Sequence, residues 1–116
     1  MICGSFPGKK AVDILIASAN GTFVDEAECA AAAKHFPTAT LYTVKPALGE
    51  SVAAGGLWQL ICAAQALRAQ MLPPILHAPA DSGLTTVRSS AEQAWRRAVV
   101  ITCGLNQQIA ALTLRL

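Results

Sequence analysis

The feature that most constrains the fold of this chain is a long stretch without charge. No Asp, Glu, Lys or Arg stands between Glu50 and Arg68, although two glycines and two glutamines interrupt the apolar residues. As a helix rising about 1.5 Å per residue, this stretch falls short of the roughly 20 apolar residues that a bilayer core requires. We therefore expect a helix over residues 51–70 that is buried in protein, and no membrane span.

The composition raises the question of what covers such a helix. The chain has 116 residues, enough for one domain, and 53% of them are hydrophobic. Only 14% are charged, so its exterior is expected to be unusually apolar, as contact surfaces are. The apolar residues of the helix cannot all face one sheet: Val52, Leu57, Trp58, Leu60, Ile61, Ala64 and Leu67. A second copy or a partner chain is expected to cover the remainder.

Charge and cysteine patterns argue against several classes of function. The net charge is +2, and the basic residues form no stripe among aromatics, so nucleic-acid binding has little support. No Cys-x-x-Cys pair predicts a zinc site, and no metal or cofactor is expected. His35 and His77 are expected at the surface. The four cysteines are predicted to be buried free thiols: Cys3, Cys29, Cys62 and Cys103. Free thiols in turn predict a cytoplasmic location for the protein.

The first part of the chain predicts two strands around a helix. Residues 11–19 form a short, nearly continuous apolar run, which is typical of a strand buried on both faces. Asp25 is expected to cap a helix that ends near His35, before a proline. Residues 40–44 predict a second strand that ends at Lys45-Pro46, because the residue before proline favours extended geometry. A loop then leads into the long helix.

The C-terminal part predicts an antiparallel hairpin. Residues 77–86 are expected to be loop, and residues 90–97 one or two helical turns. Residues 98–103 and 109–114 predict two strands with a short connection. The order β-α-β-α-β-β predicts an α/β fold with a mixed sheet, in which a right-handed parallel crossover precedes the hairpin.

Four motifs occur along the chain in a fixed order. They are Ala19-Asn20-Gly21-Thr22 with Asp25-x-x-Glu28, Lys45 to Gly49-Glu50 with Ala53-Ala54-Gly55, Leu72-Pro73-Pro74, and residues 100–114 around Gly104. In this order and spacing the chain resembles the C-terminal part of the β-ketoacyl synthases, the condensing enzymes of fatty-acid and polyketide assembly. The resemblance covers nearly all of the chain after Lys10. It implies a partial thiolase-like half, with residues 1–116 as one domain and residues 1–10 as an extension.

The chain departs from this family at the positions that carry its chemistry. Asn20 stands where the family has the histidine of a His-Gly-Thr motif, and Glu50 stands where it has a histidine after glycine. The helix glutamate that pairs with Lys45 in active members corresponds to Gln59. The glycine-rich turn that gates the active site corresponds to residues 104–107, which begin with Gly104 and Leu105. The family nucleophile belongs to the half that precedes these motifs, so none of the four cysteines takes that role.

These replacements are expected to remove condensing activity. An enolate needs hydrogen-bond donors aimed at it, but the Asn20 amide does not exchange a proton near neutral pH and a Glu50 carboxylate repels negative charge. We expect Glu50 to pair with Lys45 in place of the lost helix glutamate, so that the two residues are a structural ion pair, or solvated loop charges, rather than an acid–base pair. Residues 53–56 predict a packing surface, with a phosphate-binding helix start as the weaker alternative.

The expected function is therefore a non-catalytic β-ketoacyl-synthase-like subunit or fragment that serves as a structural partner in fatty-acid or polyketide-type biosynthesis. One alternative is the C-terminal segment of an active synthase assembly whose nucleophile comes from another chain. A second is a small acyl or carrier-protein binding module. The expected partners are a second copy or a synthase-like chain, with acyl carrier protein as a further candidate.

Overall fold

The structure is a computed structural model that describes residues 11–51, 53–73, 75, 94–104 and 108–116. Within these residues, strands and helices alternate before a final hairpin. The elements are β1 (Ile14–Ile16), α1 (Val24–His35), β2 (Thr40–Tyr42), α2 (Lys45–Leu48), α3 (Gly55–Ala69), β3 (Arg97–Cys103) and β4 (Ile109–Arg115). The predicted α/β class with a C-terminal antiparallel pair is confirmed.

One mixed sheet connects the described strands in the order β2-β1-β3-β4. β1 runs parallel to both neighbours, with Leu15 opposite Leu41 and Val99, whereas β3 and β4 are antiparallel. From the resemblance we expected this chain to lack a central strand that the family sheet has, with residues 2–6 or a second chain as its substitute. The described strands instead form a continuous sheet with no gap among them, and residues 2–6 lie outside the described residues.

Each face of the sheet carries its own hydrophobic core. On one face, α3 packs Ala63, Ala66 and Leu67 against residues of β1, β2 and β3. On the other face, Ala32 of α1 belongs to a smaller cluster with Leu15 and residues of β3. The strand β1 is buried on both faces, as its apolar run predicted.

The helix boundaries differ from the predicted ones for local reasons. Asp25 does not cap α1; Phe23 holds the cap position, and the Asp25 carboxylate instead accepts hydrogen bonds from the N–H groups of Asn20 (3.1 Å) and Gly21 (2.7 Å). The predicted loop after β2 contains the short helix α2, because Pro46 lies in its first turn, where a proline fits helical geometry. Gly49, with a φ of 76°, then ends it.

Two further predictions at α3 and β3 were wrong at their ends. α3 begins at Gly55 rather than residue 51, because the Ser51 hydroxyl and carbonyl accept N–H bonds in a turn before the helix. Residues 94–97 are not helical: the N–H groups of Arg96 and Arg97 donate to the Asp13 carboxylate, which joins the start of β3 to β1. The predicted loop at residues 77–86 and residues 90–93 lie outside the described residues.

Candidate functional site

A polar cluster lies where β1 and β2 end, at the same edge of the sheet. Its centre is the ammonium of Lys45, whose side chain is only 6% exposed. The ammonium donates to the Ser18 hydroxyl at 3.1 Å and forms an ion pair of 3.0 Å with Glu50. We call these residues and Asn20 the Lys45 cluster. The expected pairing of Lys45 with Glu50 is present in the structure.

Asn20 extends the cluster towards solvent. Its side-chain amide donates to the second Glu50 oxygen at 3.2 Å, and its amide oxygen accepts the N–H of Thr22 at 3.2 Å. Asn20 is therefore at once part of a turn and a partner of the carboxylate. The two positions that the resemblance gives to histidines are thus bonded to each other, and each also has a partner of its own.

The charge of Glu50 is stabilised where it lies. Burial acts to raise the pKa of this carboxyl, but hydrogen bonds from Lys45 and Asn20 and the charge of Lys45 outweigh it. The pKa of Glu50 therefore lies below its ordinary value, and the side chain is ionised at neutral pH. A carboxylate in this state accepts hydrogen bonds and pairs with a cation; it does not donate a proton.

Ser18 ties the cluster to the sheet and was not singled out from the sequence. Its hydroxyl accepts the backbone N–H of Cys103, at the end of β3, at 3.1 Å. Its own N–H donates to the half-buried carboxylate of Glu28 on α1 at 2.7 Å. Burial raises the pKa of Glu28 above its ordinary value, against the opposing hydrogen bond from Ser18. The Asp25-x-x-Glu28 motif carried the only signal for this contact.

Gln59 occupies a separate position from the charged pair. It is 1% exposed, and its amide nitrogen donates to the carbonyl oxygens of Ala17 (2.7 Å) and Ile101 (2.8 Å). Ala17 directly follows β1 and Ile101 belongs to β3, so Gln59 fastens α3 to both of these neighbouring strands. An amide can serve two carbonyls in this way, whereas an ionised carboxylate cannot.

A shallow cleft of about 120 Å³ opens beside the Lys45 cluster. It is lined by Lys45, Glu50, Ser51, Ala53, Gly55, Gly56, Gln59, Thr102, Cys103 and Gly104. Pockets for drug-sized ligands measure roughly 300–1,000 Å³, so this volume suits a few water molecules better than an acyl chain. Leu105 of the predicted gating turn lies outside the described residues. The cleft brings together Lys45, Glu50, Gln59 and Gly104 of the predicted site.

One of the small residues at the start of α3 makes a close packing contact. A Cβ atom at Gly56 would approach Thr102 Cγ2 to 3.1 Å, whereas Gly55 has open space at the same position. The predicted packing surface is confirmed at Gly56. The phosphate-binding alternative is opposed by the ionised Glu50, which also lines the cleft at this end of the helix.

None of the cysteine and histidine side chains that the structure describes takes part in the Lys45 cluster. Cys29 was expected in the core but is exposed on α1, whereas Cys62 is half-buried against the core. Partial burial and the neighbouring Glu28 and Asp25 raise the pKa of Cys29, which makes its thiol a poor nucleophile. His35 is exposed, as predicted. His77 and Cys3 lie outside the described residues.

No group of three or more His, Cys, Asp and Glu side chains in the described part of the chain could hold a metal ion. Among the helices that the structure describes, none combines the length and hydropathy needed to cross a bilayer.

Comparison with known proteins identifies a family. Residues 7–79 match the sequence profile described as β-ketoacyl synthase, C-terminal domain, whereas searches of curated proteins and of solved structures gave no significant match. The matched region contains β1, α1, β2, α2, α3 and the whole Lys45 cluster; the hairpin of β3 and β4 lies beyond it. Since the match covers more than half of the 116 residues, the chain belongs to the β-ketoacyl synthase C-terminal domain family.

Proposed function

We propose that this chain is a non-catalytic β-ketoacyl-synthase-like subunit, a structural partner in fatty-acid or polyketide-type biosynthesis. The observation that carries the proposal is that Asn20 and Lys45 both donate hydrogen bonds to the Glu50 carboxylate. Condensation requires groups that donate to, and exchange protons near, a developing enolate. In the Lys45 cluster, the two positions that hold histidines in the family hold an amide, which exchanges no proton near neutral pH, and a carboxylate that is already ionised.

The electrostatics of the cluster support the same proposal. An enolate placed in the cleft would lie beside Glu50, whose pKa is held below its ordinary value, so like charges would oppose its formation. Lys45 cannot offset this repulsion, because its ammonium already forms the 3.0 Å ion pair with the same carboxylate. The cluster stabilises the fold at the edge of the sheet, and partner binding falls to other surfaces.

The outer face of α3 supports a role in assembly. Leu57 and Trp58 are 58% and 48% exposed, and Ile61 follows one turn later at 44%. These three residues, which we call the α3 outer face, lie opposite the buried side of the helix that contains Ala63 and Leu67. We propose that a synthase-like partner chain or a second copy packs on this face, since apolar surface of this kind is stabilised by burial.

A condensation assay tests the proposal. Purified protein is offered an acylated carrier protein and a malonyl donor, and an active β-ketoacyl synthase serves as the positive control. Intact-mass spectrometry follows acylation of the cysteines, and product analysis follows 3-oxoacyl formation. We expect neither. Stoichiometric acylation followed by product would overturn the proposal. Product that forms only after a synthase-like chain is added, and is lost in Lys45→Met, would instead favour a segment of an active assembly.

A further inference from the structure

Within the described part of the chain, β4 is an edge strand with few of the features that usually protect such edges. It pairs with β3 on one side and is the last strand of the described sheet. Over its seven residues it contains no proline, and its only charge is Arg115 at one end. Every residue of β4 except Leu114 is exposed. Natural proteins guard edges with charges, prolines, bulges or covering segments, because open backbone groups recruit another strand.

The pairing with β3 shows which backbone groups face the open edge. Gly104 N–H donates to the Gln108 carbonyl, and Leu116 N–H donates to the Arg96 carbonyl. In an antiparallel ladder, hydrogen-bonded pairs alternate with non-bonded pairs. Along the observed register, Leu112 and the residues two positions away on either side therefore bond to β3. The groups that point to the open edge belong to Ile109, Ala111, Thr113 and Arg115.

We propose that β4 pairs with β4 of a second copy of this chain, antiparallel about a two-fold axis at Leu112. In this register Ala111 lies opposite Thr113 of the second copy, and Ile109 lies opposite Arg115 of the second copy. Every outward N–H and C=O group then has a partner. The two sheets become one continuous sheet across the axis.

The distribution of charge favours a second copy in this orientation. The antiparallel pairing separates the two Arg115 residues by about 20 Å at roughly 3.4 Å per residue, so they do not repel at contact. A parallel pairing would place them side by side. At the axis, Leu112, which is 51% exposed, meets its own counterpart. Cross-strand apolar pairs of this kind stabilise sheets.

Site-directed disulfides test the pairing and its register. Residues at a non-hydrogen-bonded antiparallel pair have Cα atoms about 4.5 Å apart, within the disulfide range. Leu112→Cys should therefore form a cross-linked dimer under mild oxidation. Ala110→Cys is the matched control on the same face; its counterpart would lie about 14 Å away, and it should stay uncrosslinked. The parent protein measures the background from its own cysteines.

Proline substitution tests the backbone groups independently. Ala111→Pro removes an N–H that points to the open edge and leaves the bonds to β3 intact, whereas Ala111→Thr retains that N–H. Light scattering over a dilution series should show dimers for the parent and Ala111→Thr. The dissociation constant of the Ala111→Pro dimer should be at least tenfold higher than that of the parent. Circular dichroism checks that each variant is folded, and the disulfide pair decides the question if the proline variant is not.

The results that overturn the pairing are distinct. A parent protein that is monomeric at every concentration, or equal cross-linking of Leu112→Cys and Ala110→Cys, would exclude it. A dimer that survives Ala111→Pro but dissociates with Trp58→Glu would place the contact on the α3 outer face instead. Masses that grow beyond two copies would show open-ended strand addition, which the two-fold register forbids.

Discussion

The Lys45 cluster and the α3 outer face differ in how completely their groups are satisfied. In the cluster, a buried ammonium, a carboxylate, an amide and a hydroxyl have all found partners within the chain. On α3, a tryptophan and two aliphatic side chains stay about half exposed. The polar groups at the family's catalytic positions are thus bonded to one another within the chain, whereas the apolar residues of the α3 outer face remain exposed and can bind a partner. This contrast is what the proposed structural role explains.

The largest expected effect comes from returning the family's helix glutamate to the cluster region. Gln59→Glu would set a carboxylate against the carbonyl oxygens of Ala17 and Ile101, which now receive amide donors. We expect a loss of about 3 kcal/mol in the free energy of unfolding at neutral pH. Burial raises the pKa of the new carboxyl, so its contribution to stability is lost as pH rises through that value and partly returns in acid.

Urea unfolding at neutral and at acidic pH measures this effect. Gln59→Met is the matched control, because it also removes the amide donors but adds no charge, so its loss should not depend on pH. Unchanged stability of Gln59→Glu at neutral pH would contradict the account. It would mean that the carboxylate turns towards Lys45 and that the two carbonyls do not need a donor.

A smaller effect, on the binding of a partner, is expected at the α3 outer face. Trp58→Glu places a charge on the α3 outer face and should weaken the binding of a synthase-like partner chain at least tenfold, which corresponds to about 1.4 kcal/mol, while the pairing of two copies through β4 stays unchanged. Circular dichroism checks that the variant is folded, because the buried half of the Trp58 side chain also contributes to the stability of the monomer. Arg68→Glu, on the exposed side of the same helix but outside the apolar group, is the control. Equal affinities for Trp58→Glu and the parent would remove the α3 outer face from the interface.

The smallest effect on stability is expected at Glu28, next to the Lys45 cluster, where burial destabilises the charged carboxylate. Because burial raises the pKa of Glu28, its favourable contribution is present at low pH and lost as pH rises through the raised value. Glu28→Gln keeps an oxygen for the Ser18 N–H and removes the charge. We expect a gain of about 0.5 kcal/mol at neutral pH, with a flatter pH dependence. Glu26→Gln, at an exposed neighbour, should change neither; a loss of stability in Glu28→Gln would show that the charge itself is needed.

The sequence predicted the fold best where one physical pattern dominated. The apolar run around Ile14–Ile16 and the hairpin of β3 and β4 were found because burial and turn chemistry act locally. The predicted starts of α3 and β3 were wrong because side-chain contacts outside these elements determine where they begin. Asp13 holds the start of β3 across the sheet, and the turn around Ser51 delays α3, and neither contact leaves a periodic signal in the sequence.

The candidate site was predicted in part for the same reason. The pairing of Lys45 with Glu50 followed from the resemblance, because the helix glutamate that pairs with this lysine in active members is replaced by Gln59. The roles of Ser18 and Gln59 did not, because both act on backbone groups of other strands that only the folded sheet brings near. Cys29 was misplaced because the alanine-rich sequence of α1 looks buried, although most of that helix faces outward.

The ionisation of Glu50 tests the central claim most directly, since the claim is that the cluster holds charge and does not move protons. Carboxyl chemical shifts followed by NMR against pH would report its pKa. We expect a pKa below the ordinary value in the parent protein, with a rise towards that value in Lys45→Met. The stability that Glu50 contributes should then be lost only as pH falls through its lowered pKa. A Glu50 that titrates near neutral pH, unaffected by Lys45→Met, would contradict the account and indicate an acid–base group.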